Sequence, residues 1–433
     1  MTTRPHQATG TASAPARQRF GQLLRTLGPG IVAVLAWLGA GDLITSSVSG
    51  SNYGYGLMWV LAVSLLLRFL IVNIIARFQL CNNQGMTILE GYAQLHPLFG
   101  WFMFIYALLM GHLMNAYMLK GAGEALATLL HINQPLLCAC AVAVAVWLLV
   151  GRNVYPVIEG AMKLLLAAMT LAFLILAIMS TPDMGGLLAG TVGFSIPADT
   201  GVHGALLVAV SIIGAVAGSI ANFVHPYVMK EKGWTGPEHK RIQRNDLLFA
   251  VLVGIVINLA IWVVGAEILR PNGIEVNSID DIAAALEMYF GTFGWLLFYL
   301  GVFATLFASV SGKTTAFPML ITDALHRIRP GRRERYGRVF RDDPMHKWFM
   351  LFILFTPLIW SLPGTPNFVT LTIGVNALNI VGLPVIALGL LIMSNQKGLL
   401  GRYRNNWFEN LALGFATLLT LWSAVQLARS LLG

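Results

Sequence analysis

A chain of 433 residues that is 57% hydrophobic and only 11% charged, with a mean hydropathy of +0.72, lies outside the range of soluble globular domains and reads as an integral membrane protein. Its formal net charge of +9 would suit a nucleic-acid partner, but the basic residues fall in short loops between apolar runs, where they act as topology signals, so the lipid bilayer is implied and RNA or DNA is not. Cys81, Cys138 and Cys140 lie in or beside apolar runs without paired ligand spacing, which excludes a disulfide framework and a zinc site.

Residues 1–26 are rich in Thr, Ala and Arg with no apolar core of their own, and read as a disordered cytoplasmic tail, not a signal peptide. Residues 27–433 read as one transmembrane domain. A span needs about 20 apolar residues to cross about 30 Å of hydrocarbon. Eleven runs meet that need, at 28–53, 55–80, 98–122, 134–151, 154–180, 203–230, 246–269, 292–325, 346–362, 368–394 and 407–431, which makes the fold class all-α. The segment 326–347 carries eight Lys or Arg and 230–244 carries five, whereas 181–202 carries none. Because positive loops stay in the cytoplasm, the N-terminus is expected inside, the C-terminus outside, and the location is the cytoplasmic membrane.

Nine spans read as continuous and two do not. Span 1 contains "GAGD", with Asp42 beside Gly39 and Gly41; span 6 contains "SIIGAVAGSIANFVHPYVMK", with Gly214, Gly218, Ser219, Asn222, His225 and Pro226. Glycine costs about 1 kcal/mol in a helix interior and proline about 3, so both segments are places to unwind. Their separation by five spans is the mark of two five-span inverted repeats with discontinuous helices at corresponding positions, and a ligand site between the breaks at mid-membrane. For Gly214 and Gly218, close helix packing is an equal alternative. Asp42 is different, because a carboxylate at that depth costs at least about 2.5 kcal/mol and needs a partner or a task.

Other polar residues at depth form a second tier. Thr45 and Ser46 either cap the outer half-helix or hold Asp42, capping being preferred. His225 is the titratable base nearest the span 6 break. Lys313 in span 8 is read first as ion-paired or snorkelling, and second as an inward cation. His112, Asn115, Lys120 and Glu124 in span 3 are read first as interhelical hydrogen-bonding groups and second as a proton or water route. Arg68, and the pair Glu159 and Lys163, read as structural. Asn376 and Asn379 in span 10 are candidates to face a permeation path.

"GPGIVAVLAWLGAGDLITSSVSGSNYGYGLMWVL" resembles the first span and the start of the second in the NRAMP divalent-metal transporters, which have the LeuT-type fold. That register puts Gly39, Ala40, Gly41 and Asp42 on the family's Asp-Pro-Gly-Asn break. In span 6 the resemblance sets Ser219 on a metal-binding carbonyl position, Asn222 on a methionine ligand and Val224 on a proton-handling histidine, with Tyr227 on the family's tyrosine. The acid has moved to the fourth position of the motif, the sulfur is replaced by an amide and the histidine is absent; the chain resembles a divergent branch similar to the NRAMP-related magnesium transporters, where the soft ligand is also missing.

What the resemblance implies is a secondary transporter or facilitator of a divalent metal cation. Its ligands would be the Asp42 carboxylate, the Asn222 amide oxygen, a Ser219 carbonyl or hydroxyl and a Gly39 carbonyl. Oxygen donors without a thioether favour Mg2+ or another hard ion such as Mn2+. Proton coupling is expected to be weak or absent. The alternative is a transporter of a small amino-acid-like or carboxylate solute on the same scaffold, with Lys313 facing inward; the sign of the charge at mid-membrane separates the two. No nucleophile-base pair, phosphate loop or hydrolase motif supports an enzyme, no cofactor is implied, and oligomeric state is left open, a monomer included.

Overall fold

The computed structural model describes residues 40–150, 155–199, 201–337 and 339–432. The tail at 1–26, Gly39 and the first part of span 1 lie outside the described residues. Every regular element described is helical. Among the described residues eight helices are long and apolar enough to cross a membrane: Met58–Cys81, Leu98–Leu130, Ile158–Met179, Ala205–Glu231, Pro237–Leu269, Ile279–Ile328, Phe368–Met393 and Trp407–Arg429. The other three expected spans correspond to shorter elements: Ala40–Tyr53, Pro135–Leu149, and Pro344–Phe355 continued by a 3-10 turn over Thr356–Ser361.

Local chemistry explains where these helices begin and bend. Ser278 accepts from Asp281 N–H while the Asp281 side chain accepts from the Ser278 backbone N–H, a capping box that starts the 50-residue helix Ile279–Ile328 thirteen residues before the expected span. That helix kinks at Gly291, whose φ of 57° suits a residue without Cβ. Thr87 and Glu90 form a second capping box at the head of the short helix Ile88–Leu95.

Span 6 is interrupted as its glycines and proline require. Helix Ala205–Val216 stops, Ser219 is extended at φ −62° and ψ 122°, a 3-10 turn covers Ile220–Val224, and helix resumes at His225–Glu231. Pro226 falls in the first turn of the new helix, where its missing N–H costs nothing. Span 10, expected continuous, is also broken: Phe368–Leu378 passes into a 3-10 turn at Asn379–Val381 before Leu383–Met393. Gly382 and Pro384 follow that turn, and the apolar run around them hides it from a hydropathy reading.

Gly214 and Gly218 now separate. A Cβ on Gly214 would collide with the Asn376 carbonyl oxygen, so this glycine exists for contact between spans 6 and 10, whereas Gly218 lies in the break. Gly265 plays a comparable part between spans 7 and 1, since its Cβ would lie 3.0 Å from Ser47 O and from Ser51 N. Outward-facing Leu411, Leu418, Leu421 and Val425 of span 11 are exposed, as a lipid-facing surface requires.

Candidate functional site

Five spans besides span 1 meet Asp42 around one small cavity. Its wall is Gly41 and Asp42 from span 1, Arg68 from span 2, Met114, Tyr117 and Met118 from span 3, Ala215, Ser219 and Ala221 from span 6, Lys313 from span 8 and Asn376 from span 10. The volume is about 40 Å³, room for a few waters at roughly 10–15 Å³ each. Asp42, Arg68, Ser219 and Asn376 are buried at 5%, 7%, 5% and 1% exposure. Burial at this level makes every charge on the wall count, because solvent cannot screen it.

The two breaks deliver their residues differently. In span 1, Thr45 donates back to the Gly41 carbonyl at 2.8 Å, and Ser46 donates to Asn258 Oδ1 of span 7 at 2.8 Å. Both hydroxyls brace the helix carrying Asp42; the bonds formed are to backbone and to the neighbouring span. In span 6, Ser219 reaches the wall, but Asn222 does not line it. Asn222, expected to offer its amide oxygen, donates its Nδ2 to the Ala217 carbonyl at 3.1 Å and to Val216 O at 3.4 Å, its backbone N–H donates to Ser219 O at 3.0 Å, and its Oδ1 is buried with no hydrogen-bond donor among the described residues. The side chain satisfies carbonyls that the broken helix releases, groups that otherwise need a partner in an apolar medium.

The remaining expected residues are dispersed. His225 Nε2 sits 3.3 Å from Gln243 Nε2 and away from the cavity. Asn379 Nδ2 turns back to Val375 O at 3.5 Å. Tyr227 donates to Asp323 Oδ2 at 2.8 Å, also off the wall. Gly39 lies outside the described residues.

Lys313 does not snorkel. It stands on the cavity wall, its Nζ 3.3 Å from Met118 Sδ, and its charge interacts with those of Asp42 and Arg68. Arg68, read as structural, is on the same wall and likewise feels Asp42. Among the described residues the acidic and basic side chains lining this space are therefore one carboxylate and two cations. Met114, Tyr117 and Met118 were not anticipated; their i, i+3, i+4 spacing marks one helical face, but nothing in it distinguishes a cavity wall from ordinary core.

The span 3 polar residues tie that helix to span 9. Trp360 Nε1 donates to His112 Nε2 at 3.1 Å, which leaves the ring proton on Nδ1, 2.8 Å from Thr356 Oγ1. Asn115 Nδ2 donates to Ile353 O at 3.0 Å, and Lys120 Nζ to Trp360 O at 3.2 Å and Thr365 Oγ1 at 3.0 Å. These are interhelical bonds, the first of the two readings.

The face carrying the Lys- and Arg-rich connections is closed by an ion-pair network. Arg327 and Arg333 both meet Glu90, the former at 3.0 Å, and Arg327 Nε approaches Asp323 Oδ1 at 3.5 Å. Beside them Asp343 pairs with Arg332 at 2.6 Å and with His326 at 2.9 Å. Burial pushes the Asp343 carboxyl up, but bonds from Arg332, the Met345 N–H and His326 outweigh it and hold its pKa down, at about 2.

Comparison with known proteins places this arrangement. The family described as "Natural resistance-associated macrophage protein-like" (Nramp) matches residues 30–430. A "Divalent metal cation transporter MntH" of Caldanaerobacter subterraneus is 27% identical over 309 residues, 68% of this chain and 70% of that protein. One of the same name from Aeromonas hydrophila is 23% identical over 417 residues, 92% of each chain. The crystal structure of an Eremococcus coleocola manganese transporter superposes with a TM-score of 0.73 at 19% identity, covering 95% of this chain and 89% of that one. The fold is thus the LeuT type that the resemblance implies.

Proposed function

The chain belongs to the Nramp family, and from that premise we propose that it moves a divalent metal cation across the cytoplasmic membrane by alternating access about the cavity at Asp42. The observation that carries the reading is the meeting of Asp42 from span 1 with Ser219 at the span 6 break on one buried wall. The relatives' names point to the ion class, and the donors on the wall support the finer preference. Asp42, Ser219 and the Asn376 amide oxygen are hard donors. Met114 and Met118 also line the space, and the Met118 sulfur accepts from Lys313 at 3.3 Å. Hard donors with room for water favour Mg2+ or Mn2+.

The same geometry supports reading the movement as one without a proton partner. His225 is off the wall and His112 is held between Trp360 and Thr356, so neither imidazole offers the cation a proton to exchange. An inside-negative potential supplies about 2.3 kcal/mol per charge per 100 mV, enough to draw a divalent ion inward with the N-terminus inside, as the loop charges suggest. The transporter domain is 27–433, with 1–26 as a cytoplasmic tail.

The test is uptake of Mg2+, Mn2+ and Ca2+ into proteoliposomes with internal pH recorded, for the native chain and Asp42→Ala. Native uptake of Mg2+ and Mn2+ at constant pH, lost in the variant, is expected. Unchanged uptake in the variant sinks the site, and acidification during metal entry sinks the uncoupled mechanism. The organic-solute alternative draws on one observation, the presence of Arg68 and Lys313 beside Asp42.

A further inference from the structure

The charge on the cavity wall does not suit a cation alone. Among the described residues Asp42 supplies one negative charge and Arg68 and Lys313 two positive ones; Asp42 and Arg68 are buried and Lys313 is half-buried. A divalent ion entering there raises a positive balance further, in a medium where water screens little. The amide of Asn376 points the same way. It is 1% exposed, lines the cavity, and its Nδ2 has no hydrogen-bond acceptor. A buried N–H left unmatched is costly and marks where an acceptor belongs. Among the described residues the Lys313 ammonium bonds only the Met118 sulfur, a weak acceptor that leaves most of its donor capacity unspent.

We propose that this wall holds a small-anion subsite, formed by Lys313, Arg68 and Asn376 Nδ2, in which a carboxylate or a halide binds opposite Asp42. Two cations and an orphaned N–H converge on a space of about 40 Å³, which limits the ligand to a carboxylate as small as acetate or to a single halide ion. The anion brings the wall to charge balance and satisfies the Asn376 donor. With Asp42 facing it, the subsite also accommodates the carboxylate end of a zwitterion whose ammonium meets Asp42. The proposal does not depend on metal transport, since anion binding is read with no metal present.

The experiment is a thermal-stability titration of the purified full chain in lipid nanodiscs, with chelator present. Chloride, acetate and glycine are each raised at constant ionic strength against isethionate, which is too bulky for the cavity. A saturable rise in melting temperature with chloride or acetate identifies a free anion; a rise with glycine alone identifies a zwitterionic solute; either supports the subsite. Lys313→Met is expected to weaken the response by about tenfold or more, the value of one lost charged hydrogen bond, while Lys313→Arg retains it. No saturable shift with any of the three probes overturns the proposal. So does an equal response in native chain and Lys313→Met, with the Lys313→Arg control guarding against a merely unstable variant. Metal uptake in the Asp42→Ala experiment is an independent readout, so either reading can fail without the other.

Discussion

Gly41 and Asn376 face each other across the cavity so closely that a Cβ built on Gly41 would stand 2.9 Å from Asn376 Nδ2. The glycine on span 1 and the amide on span 10 thus share one space. Gly41→Val is expected to displace Asn376 into the cavity and reduce Mn2+ uptake by roughly tenfold or more, the scale of overpacking penalties of about 1–3 kcal/mol. Gly41→Val with Asn376→Ala should recover part of the loss. Uptake in proteoliposomes measures both, and an additive double variant shows that the two residues do not couple.

Removing a fixed positive charge from the wall should help a divalent cation. Lys313→Met is expected to lower the half-saturating Mn2+ concentration by roughly tenfold, since even a screened interaction between a unit and a double charge is worth more than about 1.4 kcal/mol at such separations. Uptake at varied Mn2+ reads the change. A higher half-saturating concentration would mean that Lys313 assists the cation.

Asn222 braces the break in span 6 through the Ala217 and Val216 carbonyls. Asn222→Ala should therefore cost stability, about 1–3 kcal/mol for carbonyls left without a partner, seen as a fall in melting temperature with no metal present. A side chain acting as ligand would instead leave the metal-free protein intact and weaken metal binding.

The Asp343 pair with Arg332 and His326 has a definite pH window. Its carboxyl titrates at about 2 in the folded protein against about 3.9 when unfolded. The stabilisation is thus present above roughly pH 4 and is lost as pH falls toward 2. Melting temperatures of the native chain and Asp343→Asn should differ by a constant amount from neutrality down to about pH 5 and converge only in stronger acid. Convergence near neutrality would assign the stabilisation to another group.

Sequence was a good guide to what depends on composition and spacing. Apolar length located the spans, and the cost of Gly218 and Pro226 in a helix located the break in span 6. Asp42, Ser219, Asn376 and Lys313 do line one wall. What was hidden depends on direction. An asparagine offers an acceptor and two donors at once, so Asn222 could not be assigned as ligand or brace before its partners were visible. Arg68 stood out as a charge in an apolar run, but only packing reveals that it shares a cavity with Asp42. The turn at Asn379–Val381 was masked because a 3-10 segment in apolar surroundings has the hydropathy of the helix it interrupts. Gly39 stays with the residues outside the description.

Gly214 lets span 6 rest directly on the backbone of Asn376. A backbone-on-backbone contact has no side chain to bend, so the two spans cannot slide over one another without breaking it. The helix Ala205–Val216 and the backbone at Asn376 are therefore held together ahead of the break that carries Ser219, so the segment beyond the break is the part of span 6 that this contact leaves free to shift.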